Sequence, residues 1–213
     1  MDWNVASHRH TDMDELKLKA SEDAMRTLFA TGKKALVGVA LHVSSLNNQQ
    51  SLSRLMAVIS KFDPTLARYR VIRVSCVEPG YPRIYLEDIL RVLKPHIPHV
   101  AIGLNWAEPD VASVLKLQPA AIGFSLAAGA LGSHGPRTDA YARIHASIEQ
   151  SHHHGVSVGV EGDIQPAYAR RFAQDGVNHI CSPRIWPIRR ALPAAELWPP
   201  ARLGAEAMTE TAA

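Results

Sequence analysis

Four residues of this chain combine useful chemistry with a regular place in the sequence: His42, Arg73, Ser125 and Glu161. Each lies in a short segment where bulky residues alternate with small or polar ones. Val37, Val39, Leu41 and Val43 alternate with Gly38, Ala40 and His42, and Ile72 and Val74 with Val71, Arg73 and Ser75. Val100, Ile102 and Leu104 alternate with Ala101 and Gly103, and Ile122 and Phe124 with Ala121, Gly123 and Ser125. Val156, Val158 and Val160 alternate with Ser157, Gly159 and Glu161, and Cys181 falls in a sixth segment. Parallel strands under helices bury their large residues on the helix side. The smaller set then lines a barrel interior or a cleft. Hydrolysis with bound Mg²⁺ or Mn²⁺ needs oxygen ligands, and a two-metal site needs several converging carboxylates. This inner set offers one carboxylate, Glu161, and places the Arg73 guanidinium where a cation would sit. At an effective dielectric of ~20, two like unit charges 4 Å apart repel by about 4 kcal/mol. The expectation is no metal, no cofactor, and an internal network joining Arg73 to Glu161, directly or through His42.

The elements that position these residues alternate in type. Residues 12–31 read as a helix with Leu16, Ala20, Ala24, Leu28 and Phe29 as its apolar positions. Strands are expected at 35–43, 70–77, 99–104, 120–126, 156–161 and 178–182. Helices are expected at 49–60, 85–94, 109–117, 137–153 and from Pro166 to Asp175, with a Gly- and Ala-rich loop over 127–135. No Gly-rich dinucleotide fingerprint follows any strand, and polar residues sit at the carboxyl ends of several strands. The fold class is therefore α/β, an incomplete TIM-type (β/α) barrel of about six parallel strands with surrounding helices. Residues 1–11 and 196–213 read as disordered tails flanking a single domain over 12–195.

Composition narrows the classes of function. The chain has 213 residues, 46% of them hydrophobic, and a formal net charge of +3. That suits one domain and gives no basic block of nucleic-acid type. No apolar run spans a membrane and no secretory signal core opens the chain, so a cytoplasmic protein is expected. Cys76 and Cys181 give no disulfide framework and read as small buried thiols.

Five segments, in order and at matching intervals, resemble the bacterial EAL domain, the cyclic di-GMP phosphodiesterase barrel. Residues 39–44 (VALHVS) are similar to its VNLS strand, and 71–77 (VIRVSCV) to its LELEITES strand. Residues 100–104 (VAIGL) resemble ALDDFGTG, and 117–125 (LQPAAIGFS) resemble LPVDVLKID. Residues 160–163 (VEGD) with 173–180 (AQDGVNHI) resemble AEGVET and the ELGCDYVQG segment after it. The resemblance implies a barrel whose strand ends bind metal through carboxylates and an Asn. Here the Asn position holds His42, the EIT glutamate position Arg73, and the DDFG aspartates Ile102 and Gly103. The KID lysine and aspartate become Gly123 and Ser125, the QG glutamine becomes Cys181, and Glu161 alone matches. The opening QPI strand and EAL tripeptide, which supply a metal-binding Glu and a nucleotide-touching Arg, have no counterpart.

Other constellations carry less. His152, His153 and His154 end a helix, where the macrodipole favours them, and adjacent positions share no face. Ser44 and Ser45 follow strand one without a nucleophile elbow and read as turn or cap residues. Trp186 and Trp198, beside Arg184, Arg189 and Arg190, read as packing residues or a partner surface. Six strands leave two open edges, which the 12–31 helix, self-association or a partner could cover. The first functional reading is a truncated, catalytically inactive EAL-like module in bacterial signalling. It has a protein partner or associates with itself, and cyclic di-GMP is at most a weak ligand. The rivals are a non-hydrolysing cyclic di-GMP receptor and an unrelated (β/α) barrel enzyme using His42, Glu161 and His179.

Overall fold

The computed structural model describes residues 3–127, 130–131 and 137–185. Helix α1 spans Trp3–Ala30, followed by β1 Val37–His42, α2 Val43–Asn47 and α3 Gln49–Ile59. A 3-10 turn, Pro64–Tyr69, leads into β2 Arg70–Val77, then α4 Arg83–Leu93 and β3 His99–Leu104. The rest runs α5 Val111–Leu115, β4 Ala121–Leu126, α6 Arg137–His153, β5 Ser157–Gly162, α7 Pro166–Gln174 and β6 His179–Cys181. The six strands are parallel and lie in chain order, β1-β2-β3-β4-β5-β6. Doubly wound sheets reverse their order at a switch point; a strictly sequential order is the winding of a (β/α) barrel. The expected α/β class and strand number both hold. Among the described residues no helix is long and apolar enough to cross a membrane.

Alternation places the core where the sequence puts it. Val39, Leu41, Ile72, Val74, Val100, Ile102, Ile122, Phe124, Val158 and Val160 are all buried. Leu86, Ile89, Leu90 and Leu93 give α4 its buried face at i, i+3, i+4, i+7 spacing. Side-chain caps start α3 and the 3-10 turn. Asn48 accepts the Ser51 N–H at α3, and Asp63 accepts the Thr65 N–H at the 3-10 turn.

The chain divides into two compact units, residues 1–103 with 113–121, and 104–112 with the residues from 122 onward. In the first unit α1 differs from expectation twice. It is already helical at Trp3, so the tail expected over 1–11 is absent from that residue on. The physical reason is tertiary: Thr11 donates to the Ser51 hydroxyl at 2.9 Å, and His10 bonds the Ser44 hydroxyl. The buried face is also not the apolar stripe. Leu16 is 61% exposed and Ala20 and Ala24 are exposed, whereas Thr11, Asp14, Leu18, Ser21, Glu22, Met25 and Leu28 are buried.

That polar face caps the β1 edge. In a strand, the backbone groups of alternate residues point to the same side. Ser75 Oγ donates to the Leu41 carbonyl, which marks the β2 side of β1. Ala40 and His42 therefore point the other way. There Asp14 accepts the His42 N–H at 2.8 Å, and Lys17 Nζ donates to the Ala40 carbonyl at 3.2 Å. Two side chains of α1 thus satisfy backbone groups that another strand would otherwise bond. Asp14→Ala is expected to cost about 1.5–3 kcal/mol, the range for a charge-assisted bond to a buried group. It should also raise the amide exchange rate of His42, both readable by denaturant titration and hydrogen exchange. Unchanged His42 protection would show that the cap is not holding the edge.

In the second unit, Tyr141 of α6 donates to Asp175 at the end of α7, and the Arg171 guanidinium lies over the Tyr141 ring at 4.2 Å. His145 Nε2 stands 3.6 Å from the same carboxylate. Burial and the Asp175 carboxylate together push the Tyr141 phenol upward from its ordinary value. The segment 128–129 and 132–136 of the expected loop, together with Trp186, Arg189, Arg190, Trp198 and the 196–213 tail, lies outside the described residues.

Candidate functional site

The first unit holds His42, Arg73 and Gly103. His42 ends β1 and caps α2, its Nδ1 accepting the Ser44 N–H at 3.2 Å. The backbone N–H is always a donor, so Nδ1 is the unprotonated nitrogen. Burial and the neighbouring His10 hold the His42 imidazole below its usual value, against the upward pull of Asp14 and Glu78. His42 is therefore neutral at pH 7 and serves as a cap.

Arg73 and Gly103 fit together. A Cβ at Gly103 would lie 3.2 Å from the Val74 carbonyl oxygen and 3.6 Å from Arg73 Cδ. The arginine stem thus runs beside the space where a Gly103 side chain would begin. A side chain there would start tight against the Val74 carbonyl and in ordinary contact with the Arg73 stem. Gly103 is buried, so little slack remains to absorb that crowding.

The second unit holds Gly123, Ser125, Glu161 and Cys181. Gly123 is buried and Ser125 exposed in β4. Ser125 Oγ donates to Glu161 Oε1 at 2.7 Å, so the inner-set carboxylate takes a serine hydroxyl. Cys181 is the register partner of Glu161 across β5 and β6. Beyond Gly162, Asp163 receives a two-pronged contact from Arg184, with Arg184 Nη2 donating to Oδ2 at 3.1 Å. That carboxylate raises the already high Arg184 value further.

The two cysteines correct an expectation. Both are exposed rather than buried, and neither is in a disulfide. Cys76 has φ +61°, a left-handed conformation that takes it out of the strand's alternation. His152, His153 and His154 are exposed at the end of α6, and the His152 ring sits where a Gly176 Cβ would be. Among the described residues no group of three or more His, Cys, Asp or Glu side chains is arranged to hold a metal ion.

The sequence did not single out Asp14, Glu22, Tyr141 or Asp175. For Glu22 a signal was present. Arg70 shares the parity of Ile72 and Val74, so β2 turns it to the core side, and a buried guanidinium requires a buried acid.

No protein-family model matches the chain, and no curated protein matches it. Solved structures do. The chain superposes on the PaMucR phosphodiesterase in its c-di-GMP complex with a TM-score of 0.62 at 14% identity, covering 86% of this chain and 78% of that one. The EAL domain of FimX from Xanthomonas citri, in complex with c-di-GMP, gives 0.60 at 13% identity, covering 83% and 69%. An EAL domain protein from Listeria monocytogenes EGD-e gives 0.54 at 12% identity, covering 80% and 66%. At these identities the likeness speaks to fold: the chain has an α/β fold similar to that of EAL domains.

Proposed function

We propose that this chain is a catalytically inactive EAL-like domain that works as a regulatory or protein-interaction module. The observation that carries the reading is the Arg73–Gly103 arrangement. Where the EAL resemblance places an aspartate, this chain has a glycine beside an arginine stem. Ser125 and Cys181 likewise bring no acid, and Glu161 is engaged by Ser125. The degenerate strand ends, a protein partner or self-association, and a place in signalling belong to this proposal.

A second reading is a non-hydrolysing cyclic di-GMP receptor. It is favoured by the likeness to two structures solved with that dinucleotide. Calorimetric titration of the full chain with cyclic di-GMP, with and without Mg²⁺, separates the two. The interaction-module reading expects no binding heat at micromolar protein. A saturable isotherm without turnover supports the receptor instead.

A further inference from the structure

We propose that His10, His42 and Ser44 form an acid-sensitive latch: it holds the first turns of α1 against the carboxyl end of β1 at neutral pH and releases them when an imidazole takes up a proton. The inference concerns α1 and its seat, and it stands whether or not the proposed function is correct.

Three side chains make one chain of bonds. Ser44 Oγ lies 2.7 Å from His42 Nδ1 and 3.2 Å from His10 Nδ1. The Ser44 N–H already shows that His42 Nδ1 is an acceptor. Ser44 therefore gives its hydroxyl proton to His42, and its oxygen accepts the Nδ1 proton of His10. The direction of both bonds is fixed by that backbone N–H. The two rings also stack, with centroids 4.0 Å apart and planes at 29°. The α2 cap and the direction of both hydroxyl bonds need His42 Nδ1 unprotonated. A proton on His42 Nδ1 removes the acceptor of the Ser44 N–H, so the cap on α2 is lost, and it reverses the bond to the Ser44 hydroxyl, whose oxygen must then accept from His42. A charge on His42 would also set a cation against the face of the stacked His10 ring.

The surroundings decide the direction of the response. On α1, Asp14 and Lys17 act on His42 with opposite signs, and Glu78 beyond β2 favours the charged ring. β1 and α2 carry no other charged side chain. On α3, Arg54 is tied to Asp12 and Glu15. On β2, Arg70 is tied to Glu22, and Arg73 runs beside Gly103. Burial and His10 outweigh the acids, so the native ring resists protonation more than the unfolded one does. A lowered folded value means that stability is complete above the ordinary histidine pKa of about 6.5 and falls as pH drops below it. The latch shares its seat with the Asp14 cap on the His42 N–H, so its release also frees the β1 edge.

Hydrogen exchange on the full chain, corrected for intrinsic rates, tests this at about pH 7.5 and about pH 5. Protection of residues 9–15 and of His42 and Ser44 should fall about tenfold or more at the lower pH, while the β2 and β3 amides stay protected. The double variant His10→Phe with His42→Asn keeps a stacking ring and a capping side chain but cannot titrate. Its protection should be the same at both pH values. Equal protection of the native chain at both pH values overturns the proposal, as does an undiminished loss in the double variant. If that variant does not fold, His10→Phe alone serves, read through the His42 ring proton in an NMR titration. The midpoint should rise once His10 is gone, and an unmoved midpoint overturns the coupling on which the latch depends.

Discussion

Glu22→Ala should destabilise the chain by about 3–5 kcal/mol, the cost of leaving a buried charge without its partner. Arg70 is 2% exposed and Glu22 8%, and the two are bonded across the seat of α1. The Glu22 carboxylate also receives the Asp63 N–H at 3.1 Å and Arg26 Nε at 2.9 Å. The Arg70 guanidinium is further enclosed by the Phe62 ring, 4.1 Å away. Alanine removes the acid and leaves the cation without water or a counter-ion. Urea denaturation at neutral pH reads the loss as a lower midpoint with unchanged slope. The double replacement Glu22→Leu with Arg70→Met should recover most of it, since apolar groups of similar volume can substitute for a buried pair. A single-variant loss below about 1 kcal/mol, the level of a surface pair, would show that the seat is wet.

Gly162→Ala is the second large expected effect, on the order of 3 kcal/mol or more. Gly162 has φ +112°, a region that costs a residue with a side chain about 1–3 kcal/mol. The added methyl would also press on the Leu126 backbone, well inside contact distance of its carbonyl oxygen, 3.0 Å from its carbon and 3.1 Å from its nitrogen. Backbone cannot swing aside as a side chain can. The Leu126 carbonyl accepts the Asp163 N–H, so a displacement there opens that turn as well. Leu126 follows Ser125 and Gly162 follows Glu161, which ties the strain to the Ser125–Glu161 bond. Gly176→Ala is the useful comparison. There the obstructing group is the His152 ring, an exposed side chain that can rotate away. The φ of +88° remains, so its cost should stay within the range for backbone strain alone. Denaturation of the two variants side by side checks the difference. Equal losses would mean that the approach to Leu126 contributes nothing.

Strand alternation was legible because period two is a direct consequence of the pleat. Every large residue read as core-facing in β1 and β2 from Val39 to Val74 is buried. The sequential strand order also followed, since six βα units without a phosphate-binding turn suit a barrel-type winding. The face of α1 was misread because its core side is half polar. Leu16, Ala20 and Ala24 form the cleaner apolar stripe, yet Asp14, Ser21 and Glu22 face inward. Side chains that cap a sheet edge or neutralise a buried arginine are chosen for their partners, and helical periodicity does not encode partners. Arg70 was the missed cue, a charge standing in register with Ile72 and Val74. Cys76 was out of reach for another reason: nothing in a single sequence marks a non-glycine residue for positive φ. In the candidate site, the residue types at Arg73, Gly103, Gly123, Ser125 and Cys181, none of them an acid, were visible residue by residue. What the sequence could not give was the packing of the Arg73 stem against the Gly103 position, because that depends on the stagger of β2 against β3.

The most direct test of the account is the turnover of cyclic di-GMP by the purified full chain in Mg²⁺ or Mn²⁺, followed by chromatography of the linear product. The account predicts no metal-dependent product, and the same null trace from Glu161→Gln. Linear dinucleotide that accumulates with added metal, and that Glu161→Gln abolishes, would contradict it.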